Sequence, residues 1–365
     1  MKYIFVLLAA VLFACDNQPS SAVQKDNVSP DRTIQFYGNT QGTSYAIVCN
    51  DPIEFTQKSA DDIFRNFDLA LSGYIDSSVV TKLNVAPAGD FFYTDKFNYF
   101  NRCYQLSQVV YELTNGDFDP TVYPLVDGWG FMKDIENVPD SATVESLRSL
   151  IGFDDGMHFK YLWDITEEGD TITANHFVKR TPGAKLDFNA IAQGLSVDVI
   201  AEELERLGAS NYYVEIGGEI RVHGLNSDGV VWRIGIDKPI ERSTEETRSL
   251  QEVVKVDNRA IATSGSYRKF YEKDGVKYSH TLNPKTGYPV NHTLLSATVV
   301  AQNCAMADAM ATSFMVMGTD GTISFLNAHP ELDVEVYLIY MNANQEYETY
   351  YTPGFGEMIV VNESE

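Results

Sequence analysis

The sequence predicts an α+β body behind a cleavable leader, and three observations carry that expectation. Two segments repeat apolar residues at helical spacing, five short runs rich in β-branched and aromatic residues read as strands, and the two kinds mix without a strict βαβ alternation. The 365 residues suit one large domain or two ordinary ones, and neither an internal repeat nor a second linker divides them. A composition of 44% hydrophobic and 21% charged residues excludes collagenous, low-complexity and multi-span membrane chains.

At the N-terminus, Met1-Lys2 precedes an apolar run over residues 3–13. That run is too short to span a bilayer and has the charge order of a signal-peptide core. Leu12-Phe13-Ala14-Cys15 resembles a bacterial lipoprotein processing box. Residues 1–14 are therefore the expected signal peptide. Cleavage before Cys15 would leave a lipidated cysteine that anchors an exported protein to a bacterial membrane, facing the periplasm. Residues 15–31, polar and containing Ser and Pro, are the expected tether, and residues 32–365 the folded body. Cys49, Cys103 and Cys304 are odd in number and widely spaced, which argues against a disulfide framework or zinc site. Buried free thiols are expected, with one disulfide left open.

Within the body, residues 94–113 place Phe97, Phe100, Tyr104, Val110 and Leu113 on one helical face, with Thr94 as N-cap and Asn115-Gly116 as the stop. Residues 191–207 form a second helix with Ile191, Leu195, Val199, Leu204 and Leu207 inward and Gly208 at C′. Strand-like runs follow at 212–216, 230–236, 253–256, 295–301 and 334–340.

Acidic residues outnumber basic ones by 51 to 27, for a net charge of −24, so nucleic acid is not an expected partner. An anionic ligand would need local help from a metal ion, a helix N-terminus or backbone N–H groups.

Five clusters concentrate polar chemistry. In Asp119-Pro120-Thr121 the Asp suits a cap and the Pro a first helical position. Asp187 ends a short apolar strand and Asn189-Ala190 open the second helix, so free N–H groups and an acid converge. Gly217-Gly218 interrupt a strand, as at a bulge or a close approach to the backbone. Thr263-Ser264-Gly265-Ser266 offers hydroxyls and amides, and His280 precedes the turn formers Asn283-Pro284 and Thr286-Gly287. In residues 303–318, Asp308 and Thr312 are four apart, so a carboxylate and a hydroxyl share one face of an otherwise apolar helix. A hard cation with oxygen ligands suits that pair; a hydroxyl bonded back to its own helix is the alternative.

In order along the chain, these clusters resemble the ApbE family, flavin transferases that move FMN from FAD onto a threonine of a target protein. The resemblance runs through Gly42-Thr43-Ser44-Tyr45, Ser72-Gly73-Tyr74, Leu83-Asn84, Phe118-Asp119-Pro120-Thr121, Leu186-Asp187, Gln193-Gly194, Val197-Asp198, Gly217-Gly218-Glu219-Ile220, Thr263-Ser264-Gly265, His280 to Gly287, and Ala307-Asp308-Ala309 to Thr312. It implies a T-fold-like α+β body with largely antiparallel sheets, FAD as donor and Mg2+ at its pyrophosphate. The implied metal ligands are Asp308, Thr312 and backbone oxygens of Ala190 and Ala311. The implied flavin site comprises Gln41, Tyr74, Asp117, Phe118, Asp119, Asp187, Gln193 and Leu282, with Tyr74 as a stacking surface. Asp117 and Lys285 stand where the family more often has a small residue and an Arg.

The resemblance further implies release of AMP and an acceptor that is a subunit of a respiratory membrane complex. His280 is the expected general base, because an imidazole titrating near pH 6.5 accepts protons at neutral pH. Two other readings remain: an FAD pyrophosphatase that uses water in place of threonine, and a non-catalytic FAD-binding lipoprotein.

Overall fold

The structure is a computed structural model and describes residues 33–131, 138–154, 156–167, 171–240, 249–266, 270–273 and 276–360. The expected signal peptide, Cys15 and the tether lie outside these residues. Among the described residues no helix is long and apolar enough to cross a membrane.

The centre is an eight-stranded sheet whose strands lie side by side in chain order: Ile34–Thr40, Thr43–Cys49, Tyr212–Ile216, Glu219–His223, Ala260–Gly265, Leu294–Ala301, Glu335–Met341 and Tyr347–Tyr351. Every neighbouring pair is antiparallel. In the inner strands successive residues alternate between two covered faces, as the strand period demands, whereas the edge strands Ile34–Thr40 and Tyr347–Tyr351 are partly open to solvent. Ile261, Val300, Tyr337 and Ile339 pack against the hairpin Trp232–Asp237 with Leu250–Val256 and against Phe355. On the opposite face, Ala262, Ala297, Val299 and Leu338 meet Met310 and Phe314 of the helix Cys304–Ala328. Ile47 and Val214 meet Val197, Ile200 and Leu204 of the helix Ala192–Arg206.

Two connections between strands are two-residue turns with positive φ at both positions, Gln41 (51°) with Gly42 (77°) and Gly217 (65°) with Gly218 (107°). That is type I′ geometry, which matches the twist of the flanking strands. The glycine pair read from sequence as interrupting a strand is thus the turn between two strands.

The first helix is shorter than its periodicity suggested, spanning Tyr99–Leu113. The N-cap is Asn98, not Thr94, and its own side chain makes no capping bond; Asp95 supplies the acceptor instead, its carboxylate taking the Phe97 N–H at 3.2 Å and the Phe100 N–H at 2.7 Å. Phe97 falls outside the helix and is 46% exposed. The stop is as expected. Asn115 N–H donates to Glu112 O and Gly116 N–H to Tyr111 O, both residues having positive φ. The second helix, Ala192–Arg206, ends the same way, with Gly208 (φ 96°) donating to Glu205 O and Ala209 to Leu204 O.

Three local expectations are corrected. Residues 184–188 form no strand. The helix after Asp119 spans only Tyr123–Gly128 and carries Pro124, not Pro120, in its first turn. The helix Cys304–Ala328 continues past Gly318, whose φ of 73° and ψ of 179° break it into two segments. Cys49, Cys103 and Cys304 are buried free thiols.

Candidate active site

Strand register brings the polar clusters to one end of the sheet. Pairing of Tyr45 with Ile216 and of Ile261 with Ile220 sets both type I′ turns beside the C-terminal end of the strand Ala260–Gly265. There Ser264 faces Ala297, and residues 266–293, which contain His280, connect the two strands. Gly217 N–H donates to Ser44 O at 3.0 Å, which ties the two turns together.

The start of the helix Ala192–Arg206 meets the helix Cys304–Ala328 at this end. Gly194 N–H donates to Asp308 Oδ2 at 3.1 Å. The approach depends on the missing side chain: a Cβ on Gly194 would lie 2.4 Å from the Cys304 carbonyl oxygen and 2.9 Å from Asp308 Cβ. Backbone cannot yield as a flexible side chain can. Gly194→Ala is therefore expected to separate the helices and to cost about 1–3 kcal/mol, read as a lower midpoint in thermal or urea unfolding. An unchanged midpoint would contradict this packing.

A regular helical start would return the Gly194 amide to the carbonyl of residue 190. Because that amide goes to Asp308, no backbone N–H among the described residues donates to Ala190 O. Asp308 is buried, and burial pushes its carboxyl well above the usual carboxylate range, against the pull of the Gly194 amide. Thr312 Oγ1 lies 3.2 Å from Ser264 Oγ, so its hydroxyl is turned toward the strand end and Ala311 beside it is buried. Among the described residues no three His, Cys, Asp or Glu side chains cluster as a metal site. The donor set is instead one carboxylate, one hydroxyl and one unengaged carbonyl. These are hard oxygen donors of the kind Mg2+ takes, and among the described residues no basic side chain pairs with the buried carboxylate, a role such an ion would fill.

A second buried carboxylate, Asp198, has a different duty. It accepts from Cys304 N–H and Ala305 N–H, each at 2.9 Å, and pairs with Arg221 at 3.0 Å. It therefore holds the start of the helix that carries Asp308 and Thr312. In the sequence Asp198 stands out only as part of the Val197-Asp198 motif, with nothing local to mark it as a cap for a distant helix.

The other candidate residues divide by where their side chains go. Tyr74 is 73% exposed at the rim of a crevice lined also by Gly73, Tyr123, Leu186, Asp187, Phe188 and Asn189. Burial raises the Asp187 carboxyl above its ordinary value, while Asn189 N–H, donating to it at 2.8 Å, opposes the rise. Gln41 Oε1 accepts from Ser196 Oγ at 3.2 Å, and Gln41 Nε2 is buried without a hydrogen-bond partner among the described residues. Gln193 lies against Gly217, where a Cβ would fall 2.1 Å from its Nε2. Both glutamines therefore stand at the junction of the turns and the helix start.

Phe118 and Leu282 are turned inward, the first into the main core and the second against Leu125 and Trp129. Asp119 is also buried. Its Oδ1 accepts from Thr121 N–H at 2.7 Å, and burial lifts its carboxyl to about 6. Asp117 pairs with Lys285 Nζ at 2.8 Å beside a cavity of about 340 Å3. That ion pair and the Trp129 Nε1 bond to Gly287 O, at 2.8 Å, pin the loop that follows His280. His280 itself is half-buried, directly after the strand Val276–Ser279.

The sequence profile of the ApbE family matches residues 41–338. The chain belongs to the ApbE family. It is 35% identical over 309 residues to a Vibrio cholerae protein named FAD:protein FMN transferase, covering 82% of this chain and 86% of that relative. A Haemophilus influenzae protein of the same name is 31% identical over 357 residues, 93% of this chain and 92% of its own. Among solved structures, the flavin transferase ApbE from Vibrio cholerae superposes with a TM-score of 0.74 at 33% identity, covering 90% of this chain and all of that one. The apo form of Pseudomonas stutzeri flavinyl transferase ApbE also gives 0.74, at 28% identity, over 92% of this chain and 99% of its own. The α+β body is thus the fold of the ApbE family, and the clusters that suggested the family from sequence lie within the matched span.

Proposed function

We propose that this chain is an Mg2+-dependent enzyme that transfers FMN from FAD to a threonine hydroxyl of a partner protein and releases AMP. The observation that carries the reading is the seat formed by Asp308, Thr312 and the unengaged Ala190 carbonyl where two helices meet, in a chain whose relatives are named FAD:protein FMN transferase. Asp308, Thr312 and Ala190 O would hold the metal, with Ala311 O adjacent. When bound, Mg2+ offsets pyrophosphate charge and makes AMP a better leaving group, which so acidic a protein needs.

The chain's own groups bind and orient the donor. Tyr74 offers an exposed ring to a flavin or adenine face, and the Gln41 and Gln193 amides offer hydrogen bonds. The acceptor threonine oxygen attacks the FMN-side phosphorus. A new P–O bond forms, the phosphoanhydride bond breaks, and AMP leaves with the bridging oxygen. His280 takes the proton from the threonine hydroxyl. Lipidation at Cys15 would confine enzyme and acceptor, a respiratory membrane-complex subunit, to one membrane surface and so raise their encounter rate.

The test incubates the soluble body with FAD, Mg2+ and a candidate subunit, then looks for protein-attached flavin fluorescence on a denaturing gel. A fluorescent acceptor band and AMP are expected. Free FMN and AMP formed equally without acceptor would make the chain a pyrophosphatase. FAD left intact would make it a binding protein.

A further inference from the structure

Asn84 and Lys179 are buried polar residues to which the transfer chemistry assigns nothing, and together they connect a helix to the wall of the crevice. Lys179 is 1% exposed and ends the strand Thr171–Lys179, between Gly89 and Phe159 of its neighbours. Its Nζ donates to the carbonyls of Leu83, at 3.1 Å, and Asn84, at 2.9 Å. Those carbonyls belong to the last turn of the helix Val79–Val85, where the helix dipole favours a cation. Burial lowers the Lys179 ammonium to about 8. An ammonium held by carbonyls rather than by a carboxylate is costly to bury, so its placement calls for a function.

Asn84, 8% exposed, stands on that same turn. Its Nδ2 donates to Leu186 O at 2.8 Å, and its Oδ1 accepts from Leu186 N–H at 2.7 Å. This reciprocal pair reproduces what a neighbouring strand would supply, at a segment that has no strand partner. The next residue is fixed from the other side, since Asp187 N–H donates to Pro120 O at 2.7 Å. Leu186 and Asp187 line the crevice with Tyr74.

We propose that Asn84 and Lys179 are positioning residues for the FAD site: Lys179 fixes the last turn of the helix Val79–Val85, and Asn84 on that turn holds Leu186-Asp187 in place at the crevice wall. The proposal rests on the FMN-transfer reading. Removing the Asn84 amide leaves both backbone groups of a buried residue without partners, so the wall must move or admit water.

The experiment compares the wild type with Asn84→Ala, Asn84→Asp and Lys179→Met. FAD is titrated in Mg2+ by flavin fluorescence, transfer kinetics are resolved into KM for FAD and kcat, and folding is followed by thermal unfolding. Asn84→Ala is expected to raise Kd and KM for FAD about tenfold while kcat changes less than about threefold. Asn84→Asp, which keeps the acceptor for Leu186 N–H, falls between it and the wild type, and Lys179→Met shifts in the same direction. Should Asn84→Ala fail to fold, the other two variants carry the same comparison. Folded variants with wild-type Kd and KM, changed only in melting temperature, overturn the relay. A wild type that binds no FAD overturns the transfer reading and the relay with it, whereas tight wild-type binding matched by every variant overturns the relay alone.

Discussion

Asp308→Ala is expected to lower FMN transfer about a thousandfold or more, because the variant lacks the only carboxylate in the proposed metal seat. Metal stabilisation of transferring phosphoryl charge amounts to several kcal/mol, and each ~1.4 kcal/mol is tenfold in rate. The fold itself has less at stake. The Asp308 carboxylate accepts one hydrogen bond, from Gly194, and its burial without a cation is unfavourable. Loss of metal and loss of fold are therefore separable by measurement. Mg2+ should raise the melting temperature of the wild type, since a ligand bound only by the folded state stabilises it, and should leave that of the variant unchanged. Transfer at the wild-type rate, or a retained Mg2+ shift, would remove Asp308 from the seat.

His280→Ala should leave FAD binding within about threefold of the wild type and reduce single-turnover transfer by about 10²–10⁴, the usual contribution of a positioned general base. The two effects divide because the loop after His280 is held independently of the imidazole. Asn283 Oδ1 accepts from the Lys285 and Thr286 amides, Trp129 binds Gly287 O, and Lys285 pairs with Asp117. Truncating the ring should not release that loop. Full transfer by the variant would assign the proton to another group.

Much of this architecture was legible in one dimension because periodicity and punctuation are local. Tyr212–Ile216 and the Asn115-Gly116 and Gly208 stops stand where expected, since each depends on its own few residues. Asp308 and Thr312 could be paired from spacing alone, because four residues on a helix fix a shared face whatever surrounds it. Thr94 lost to Asp95 as the capping acceptor, as both side chains can accept from an amide and only the tertiary course of the chain chooses between them. The Ala190 oxygen is implied as a ligand by the resemblance alone, and that its carbonyl stays unengaged could not be read from spacing or propensity. It stays so because a helix from more than a hundred residues later comes close enough to redirect the Gly194 amide. Motif membership also fails to separate contact from packing: Phe118 and Leu282 belong to the motifs, yet their side chains are in apolar clusters. Asn84 likewise belongs to a family motif, and only its bonds to Leu186 show what it holds.

The chain-order layout of the central sheet has a consequence for biosynthesis. The strand Thr43–Cys49 pairs with Tyr212–Ile216, so residues 50–211 must be translated before the first hairpin finds its inner neighbour. Until then the chain presents an unpaired strand edge, a template for wrong pairing. The remaining six strands, by contrast, each lie beside the strand that precedes them in the sheet, in chain order. Pairing of Thr43–Cys49 with Tyr212–Ile216 is thus the most non-local step in assembling the central sheet, and loop-closure entropy makes such a step slow.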